Sequence, residues 1–144
     1  MVSVSDRLDI LELYSRYIHT LNHCEAEGWA NCFAEDGIFN RPQGSDVAGV
    51  AATRVVGRAA LAQLARSAYA EGQGRRRRWS GNVEITTGDR ENEATGRATF
   101  MLLIASGPEP ARIAVTGMFN DRLVRTKEGW RLGERTLTLD VGPS

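Results

Sequence analysis

The chain has 144 residues, of which 42% are hydrophobic and 25% are charged, a composition typical of one globular domain with no room for a second. Its 18 lysines and arginines balance its 18 aspartates and glutamates, so no overall charge attracts nucleic acid or an anionic membrane surface. No apolar stretch approaches the roughly 20 residues of a membrane span, and the first residues lack the pattern of a signal peptide. We therefore expect a cytoplasmic protein.

Two helices are predicted near the start of the chain. From residue 6 to about residue 22, apolar residues recur at three- and four-residue steps opposite a charged side, which indicates an amphipathic helix. Ser5 stands just before this pattern, where an N-cap is expected. A second, shorter helix is predicted over residues 26–34, and an acidic turn that closes with glycine then leads into a short strand at residues 38–39.

The rest of the chain is predicted to pass from a loop to a helix and then to strands. Residues 41–52 are rich in proline, glycine and small residues, which predicts a surface loop. Leucines and alanines at helical spacing predict a third helix over about residues 57–69. Four later segments alternate and are rich in valine, isoleucine, threonine and aromatic residues, which predicts long antiparallel strands. These segments are residues 77–87, 93–106, 112–126 and 130–139.

Short motifs follow one another in a fixed order over nearly the whole chain. They are ILELYSRY at 10–17, WANCFAEDG at 29–37, VGR at 56–58, RWSGNVEI at 78–85, GMFNDRL at 117–123 and GWRL at 129–132, followed by Arg135. In this order and spacing they resemble the SnoaL-like branch of the nuclear-transport-factor-two-like superfamily. The resemblance implies an α+β fold in which three N-terminal helices pack on a strongly curved antiparallel sheet that forms a cone-shaped cavity.

The resemblance alone does not decide the function. The superfamily includes polyketide cyclases, dehydratases, ketosteroid isomerases and binding modules such as dioxygenase β subunits. In the cyclase and dehydratase branch, an acid near the end of the first helix and a histidine at the start of the first long strand commonly act as acid and base. The resemblance puts Asn22 at the acid position and Arg78, or in an alternative register Trp79, at the histidine position. Amides and guanidinium groups do not exchange protons near pH 7, so the usual pair is not expected to operate.

Three side chains are candidates for direct contact with a substrate carbonyl. Tyr14 and Tyr17 lie on or beside the apolar face of the first helix, where a phenol can stabilise a developing enolate, and where ordinary core packing is the alternative. Arg78 begins an alternating segment, and if it points inward it can hold a carboxylate or an enolate oxygen. The alternation then places Asn82 on the same inward face. For the arginine run 75–78 as a whole, a solvated loop is the favoured interpretation.

The remaining candidates have weaker signals. His19 and His23 share one helical stripe and titrate near neutrality, so a base role stands beside a surface role, and no third metal ligand is evident. Asp36 is interpreted mainly as a turn residue, with a catalytic role as the alternative. Further candidates for contact with substrate are Asn22, Asn40, Trp79, Asn82 and Phe119. The two cysteines are interpreted as free buried thiols.

These observations favour a cyclase, dehydratase or isomerase that acts on a hydrophobic, carbonyl-bearing, polyketide-like molecule. No phosphate loop, nucleophile elbow or dinucleotide motif is present, so we expect neither cofactor nor metal. The alternative is a non-catalytic ligand-binding or assembly module, such as a dioxygenase β-subunit-like protein. Zero net charge and apolar residues on the outward side of the strands predict a homodimer.

Overall fold

Three helices pack on one six-stranded sheet in the structure, a computed structural model that describes residues 1–141. The predicted α+β class is confirmed. The helices are α1 (Val4–Asn22), α2 (Ala26–Ala30) and α3 (Arg58–Glu71). The strands are β1 (Phe33–Arg41), β2 (Thr53–Val56), β3 (Arg76–Thr87), β4 (Glu93–Ile104), β5 (Arg112–Thr126) and β6 (Gly129–Leu139). Within residues 1–141, no helix is both long and apolar enough to cross a membrane.

Helix α1 begins earlier than the sequence pattern indicates. Ser3 is the N-cap: its hydroxyl accepts a hydrogen bond from the Asp6 amide at 3.0 Å, and the Asp6 carboxylate accepts one from the Ser3 amide at 2.9 Å. The prediction of Ser5 as the N-cap is wrong because Asp6 completes this reciprocal pair with Ser3. The hydrogen bond that Arg125 donates at 2.9 Å holds the pKa of the Asp6 carboxyl well below its usual range. Asp6 therefore fastens the start of α1 to the sheet.

The segment around β1 differs most from the prediction. Helix α2 ends at Ala30, and Phe33, which the helical spacing placed on α2, is the first residue of β1. Phe33 still packs against Trp29 with ring centroids 5.2 Å apart, so the same apolar contact is made from a strand instead of a helix. The short strand β2 was not predicted, and it pairs antiparallel with β1 at the end of the predicted loop.

The strand order in the sheet is β2-β1-β6-β5-β4-β3. The four long strands β3 to β6 are antiparallel, as predicted. Strand β1 runs parallel to β6, so the sheet is mixed and not wholly antiparallel. The sheet curves but does not close, because β2 and β3 remain as its two edges. Its inner face packs on the helices, and its outer face carries the more exposed residues of β3, β4 and β5.

A bulge in β3 changes which side chains face the helices. The register with β4 shifts between Gly81 and Glu84, and Asn82 at the shift has a left-handed φ of 55°. An inserted residue turns the following side chains to the opposite face. Asn82 and Glu84 are therefore exposed, whereas Ile85 is buried. The prediction that Asn82 faces inward with Arg78 is wrong, and its amide instead donates to the Thr99 hydroxyl at 3.1 Å.

Candidate functional site

A cavity of about 210 Å³ lies on the inner side of the sheet, lined by residues from all three helices and from all six strands. Most of its wall is apolar and aromatic. The aromatic side chains are Tyr17, Trp29, Phe39, Phe100 and Phe119. The charged side chains are Arg41, Glu71, Arg76 and Arg78. An apolar enclosure with a few polar groups is typical of a site for a small molecule.

Tyr17 places a phenol at this cavity. It comes from the buried face of α1 and is only 2% exposed, with its ring 5.5 Å from Trp29 and 5.6 Å from Phe119. None of the described residues accepts a hydrogen bond from its hydroxyl. Burial raises the pKa of Tyr17, so the phenol stays protonated at neutral pH. It is therefore a hydrogen-bond donor without an acceptor in residues 1–141.

Tyr14 has a different role from the one expected. It is buried one helical turn before Tyr17, does not line the cavity, and donates its hydroxyl hydrogen bond to the Asp121 carboxylate. Burial, together with the charge of Asp121, raises the pKa of Tyr14. Because Asp121 already accepts the hydrogen bond of this hydroxyl, the structure favours the alternative interpretation, in which Tyr14 packs in the core. Tyr17 alone of the two phenols reaches the cavity.

A buried ion pair between Asp121 and Arg135 lies behind Tyr17. Arg135 donates two hydrogen bonds of 2.8 Å to the two carboxylate oxygens, and the side chains are 0% and 1% exposed. The guanidinium carbon lies 3.7 Å from the Phe119 ring centroid and 4.2 Å from that of Tyr17. Burial opposes the charge of Arg135, but the Asp121 carboxylate outweighs it and raises the pKa of Arg135. The pair holds the two rings that face the cavity.

Sequence reasoning did not identify this pair, although a signal was present. Asp121 lies between Phe119 and Leu123 in the alternation of β5, and Arg135 lies between Gly133 and Leu137 in β6. Each charge thus occupies an inward position in an otherwise apolar series. Charged residues are almost never fully buried unless they are paired, so two such positions on neighbouring strands indicate a buried ion pair. In the sheet, Asp121 and Arg135 are direct cross-strand partners.

Arg78 faces the cavity, in the orientation that the sequence analysis considered. Its guanidinium forms no hydrogen bond with the part of the chain that the structure describes. Burial lowers its pKa to about 10, and the charges of Arg76 and Arg41 contribute in the same direction. The side chain therefore remains a cation at pH 7 and is free to bind a ligand.

Asn22, at the position of the family's acid, does not line the cavity. Its amide accepts a hydrogen bond from the Arg78 backbone N–H at 2.9 Å and donates one to the Arg78 carbonyl at 3.1 Å. The side chain thus imitates a neighbouring strand along the free edge of β3. Asn22 anchors the end of α1 to this edge, and the structure supports an anchoring role for it in place of the predicted contact with substrate.

Asn22→Asp, which introduces the expected acid, is predicted to lower the free energy of unfolding at pH 7 by about 1–3 kcal/mol. A carboxylate cannot donate to the Arg78 carbonyl, so two oxygens then face each other without a hydrogen between them. Protonation restores the donor, so the deficit relative to wild type shrinks as the pH falls towards about 4. Thermal unfolding at both pH values measures this. Asn22→Ala is the control, with a deficit at both pH values, and an unchanged Asn22→Asp protein at pH 7 contradicts the prediction.

Of the ten predicted site residues, the structure brings three together at the cavity: Tyr17, Arg78 and Phe119. The others lie elsewhere. His19 is exposed beside His23, with ring centroids 6.5 Å apart, and Asp36 is exposed on β1. Trp79 is 47% exposed on the outer face of β3, because it alternates with Arg78. Those outside the cavity are Tyr14, His19, Asn22, Asp36, Asn40, Trp79 and Asn82.

Sequence reasoning also missed two arginines at the cavity, Arg41 and Arg76. Arg76 precedes Arg78 by two residues on β3, so period-two alternation places both on one face. The predicted strand began one residue later and left Arg76 in the loop. Arg41 ends β1, which the sequence analysis predicted as a shorter strand.

Comparison with known proteins identifies the family and the fold. The sequence model of the SnoaL-like domain matches residues 2–136. Rv3472 of Mycobacterium tuberculosis, a protein of unknown function, has a TM-score of 0.75 and 30% identity, with 92% of this chain and 70% of that chain covered. ActVI-ORFA of Streptomyces coelicolor has a TM-score of 0.77 and 20% identity over 93% of this chain and 97% of that chain.

The remaining comparisons agree with this picture. An NTF2-like protein with a cystatin-like fold from Novosphingobium aromaticivorans has a TM-score of 0.78 and 24% identity over 98% of this chain and 86% of that chain. At these identities, it and ActVI-ORFA show the fold alone. None of the curated proteins compared with the chain matches it significantly. The match over residues 2–136 shows that the chain belongs to the SnoaL-like domain family.

Proposed function

We propose that the cavity binds a hydrophobic, carbonyl-bearing, polyketide-like molecule and that the protein promotes its cyclisation, dehydration or isomerisation without a cofactor. One observation carries this proposal: an apolar cavity presents an unpartnered phenol, Tyr17, together with a cation, Arg78. All three reactions begin by drawing electron density onto a carbonyl oxygen. Two hydrogen-bond donors in an environment of low dielectric constant stabilise that oxygen more than water does.

In the proposed chemistry, binding of the substrate and hydrogen bonds donated to its carbonyl oxygen replace the acid–base pair that is common in the cyclase and dehydratase branch. The carbonyl oxygen of the bound molecule accepts hydrogen bonds from the Tyr17 hydroxyl and the Arg78 guanidinium, and these bonds strengthen as the enolate forms. The aromatic side chains Trp29, Phe39 and Phe100 hold the carbon skeleton and exclude water. The proton lost from the carbon beside the carbonyl passes to Glu71, the one carboxylate among the cavity-lining residues of the described chain.

The second candidate function is a binding or assembly module that holds a ligand without converting it. One observation favours it. At the position where the cyclase and dehydratase branch commonly has an acid, this chain has Asn22, whose amide is hydrogen-bonded to the β3 backbone. The two functions share the cavity and differ in whether a proton leaves the carbon next to the carbonyl. An experiment that reports this step separates them.

The test uses 1-tetralone, a bicyclic aromatic ketone that exchanges the protons beside its carbonyl slowly in water. Wild-type protein in D₂O is expected to accelerate this exchange, measured by proton NMR, at least about tenfold over the buffer and over protein unfolded in urea. If calorimetry shows that 1-tetralone binds but its proton exchange is not accelerated, the result supports the binding module. The absence of both exchange and binding contradicts both functions.

We also propose that the protein forms a homodimer through the outer face of the sheet. Trp79 and Met118 on this face are 47% and 38% exposed. Met101 of β4 is the cross-strand partner of both Trp79 of β3 and the half-buried Thr116 of β5. Burial of such a patch stabilises association. Sedimentation at micromolar concentration is expected to give twice the chain mass of 15.8 kDa. Met118→Lys is expected to shift the protein to the monomer, and a monomeric wild type contradicts the proposal.

A further inference from the structure

Three arginines line the same cavity: Arg41 from the end of β1, and Arg76 and Arg78 from the start of β3. None of the three forms an ion pair with a carboxylate of the described residues, although six ion pairs are formed elsewhere in residues 1–141. Glu71 also lines the cavity, so three cations face one anion, which itself is exposed. This local excess of positive charge occurs in a chain whose net charge is zero.

The protein holds two of these arginines in place through backbone carbonyls and leaves much of their donor capacity unused. Arg76 donates to the Ala68 carbonyl at 3.2 Å and to the Gly49 carbonyl at 3.1 Å. Arg41 donates only through Nε, to the Ala51 carbonyl at 2.8 Å. The two terminal nitrogens of Arg41 and the whole guanidinium of Arg78 have no acceptor in the described protein. Neutral carbonyls position the side chains but do not balance their charge.

This arrangement is unfavourable without an anion. Each cation is half-buried or buried beside others of the same sign, and burial lowers the pKa of Arg41 as well as that of Arg78. A single enolate oxygen accepts two or three hydrogen bonds, which Tyr17 and Arg78 already supply in the proposed reaction. The proposed reaction therefore gives no role to the side chains of Arg41 and Arg76. A planar carboxylate matches the guanidinium fork and balances the charge.

We propose that the ligand of this cavity is an aromatic carboxylate, whose ring system packs on the aromatic wall and whose carboxylate is bound by Arg41 and Arg76 together with Arg78. The inference rests on the proposed function, because it concerns the same cavity, and it narrows the substrate to an anionic carbonyl compound. Trp29 provides a further polar contact for such a ligand: it lines the cavity, and its buried indole N–H has no acceptor among residues 1–141.

The test compares two probes with the same bicyclic ring system, 2-naphthoate and the neutral methyl ketone 2-acetylnaphthalene, by calorimetric titration at pH 7.5. Wild type is expected to bind the carboxylate at least about tenfold more tightly than the ketone. Arg41→Gln is expected to weaken carboxylate binding at least about tenfold and to leave ketone binding within about twofold. Arg75→Gln, an exposed arginine of the same run that does not line the cavity, is the control for the loss of one charge and leaves both affinities unchanged.

The outcomes separate this inference from the proposed function. Equal affinity of wild type for the two probes, or equal losses in Arg41→Gln and Arg75→Gln, overturns the carboxylate site and leaves the proposed function standing. Failure of both probes to bind overturns both. If circular dichroism shows that Arg41→Gln does not fold, Arg78→Gln replaces it. Arg78→Gln is then expected to bind the carboxylate no more tightly than the ketone.

Discussion

Asp121→Ala is expected to lower the free energy of unfolding by about 3–5 kcal/mol, the usual cost of removing one partner from a buried ion pair. The substitution leaves the Arg135 guanidinium, which is 1% exposed, without its counter-charge. It also removes the acceptor of the Tyr14 hydroxyl. Both groups lose hydrogen bonds in a region that water does not reach, so the loss is not repaid by hydration. Urea unfolding monitored by circular dichroism measures the change.

A surface ion pair provides the control for Asp121→Ala. Glu84 pairs with Arg97 at 2.7 Å, but these side chains are 64% and 56% exposed, respectively. Glu84→Ala is therefore expected to change the free energy of unfolding by less than about 1 kcal/mol. If Asp121→Ala loses no more stability than Glu84→Ala, the buried pair does not have the structural importance assigned to it here.

Tyr17→Phe is expected to lower the rate of α-proton exchange in 1-tetralone by about 10²-fold, by analogy with the loss of one oxyanion donor in other enzymes. The hydroxyl has no acceptor among the described residues, so its removal leaves no hydrogen-bond acceptor of the folded protein unsatisfied. Both the melting temperature and the affinity for 1-tetralone are therefore expected to stay close to those of wild type. The rate falls without a matching loss of binding because the donor bonds most strongly to the enolate.

Tyr14→Phe is the matched control, because it removes the same atom one helical turn away. Its hydroxyl donates to the Asp121 carboxylate, and a hydrogen bond to a charged group contributes about 1.5–3 kcal/mol. This variant is expected to melt at a lower temperature while its exchange rate stays within about twofold of wild type. Similar exchange rates in the two variants would show that Tyr17 does not contact the reacting oxygen.

The fold was largely predictable because its elements have strong local patterns. The strand at residues 112–126 was predicted with its observed bounds, since turn residues flank a segment rich in β-branched and apolar residues on both sides. The sequence analysis failed where local and tertiary preferences compete. Phe33 continues the helical spacing of Trp29, yet its backbone belongs to β1, where the parallel partner β6 supplies the hydrogen bonds. No local pattern shows a partner that lies so far away in the sequence.

The site was less predictable than the fold. Helical spacing correctly placed Tyr14 and Tyr17 on the buried face. The hydroxyl of Tyr14 donates its hydrogen bond to Asp121 of β5, however, and these two residues come close together only in the folded protein. Alternation allowed an inward Arg78, although a solvated loop was the favoured interpretation of the arginine run. It failed at Asn82, because a bulge adds a residue without changing the composition of the strand. The resemblance placed Asn22 at the position of the family's catalytic acid, whereas the structure shows its amide hydrogen-bonded to the β3 backbone.

The place of β6 in the sheet constrains when the protein can fold during its synthesis. This strand comes last in the chain order of the elements, yet it lies between β1 and β5 and pairs with both. While β6 is still inside the ribosome, the part of the chain that has emerged therefore lacks the strand that pairs with both β1 and β5. Apolar strand edges left unpaired in this way are prone to aggregation. Completion of the sheet is consequently expected to follow the release of β6 from the ribosome.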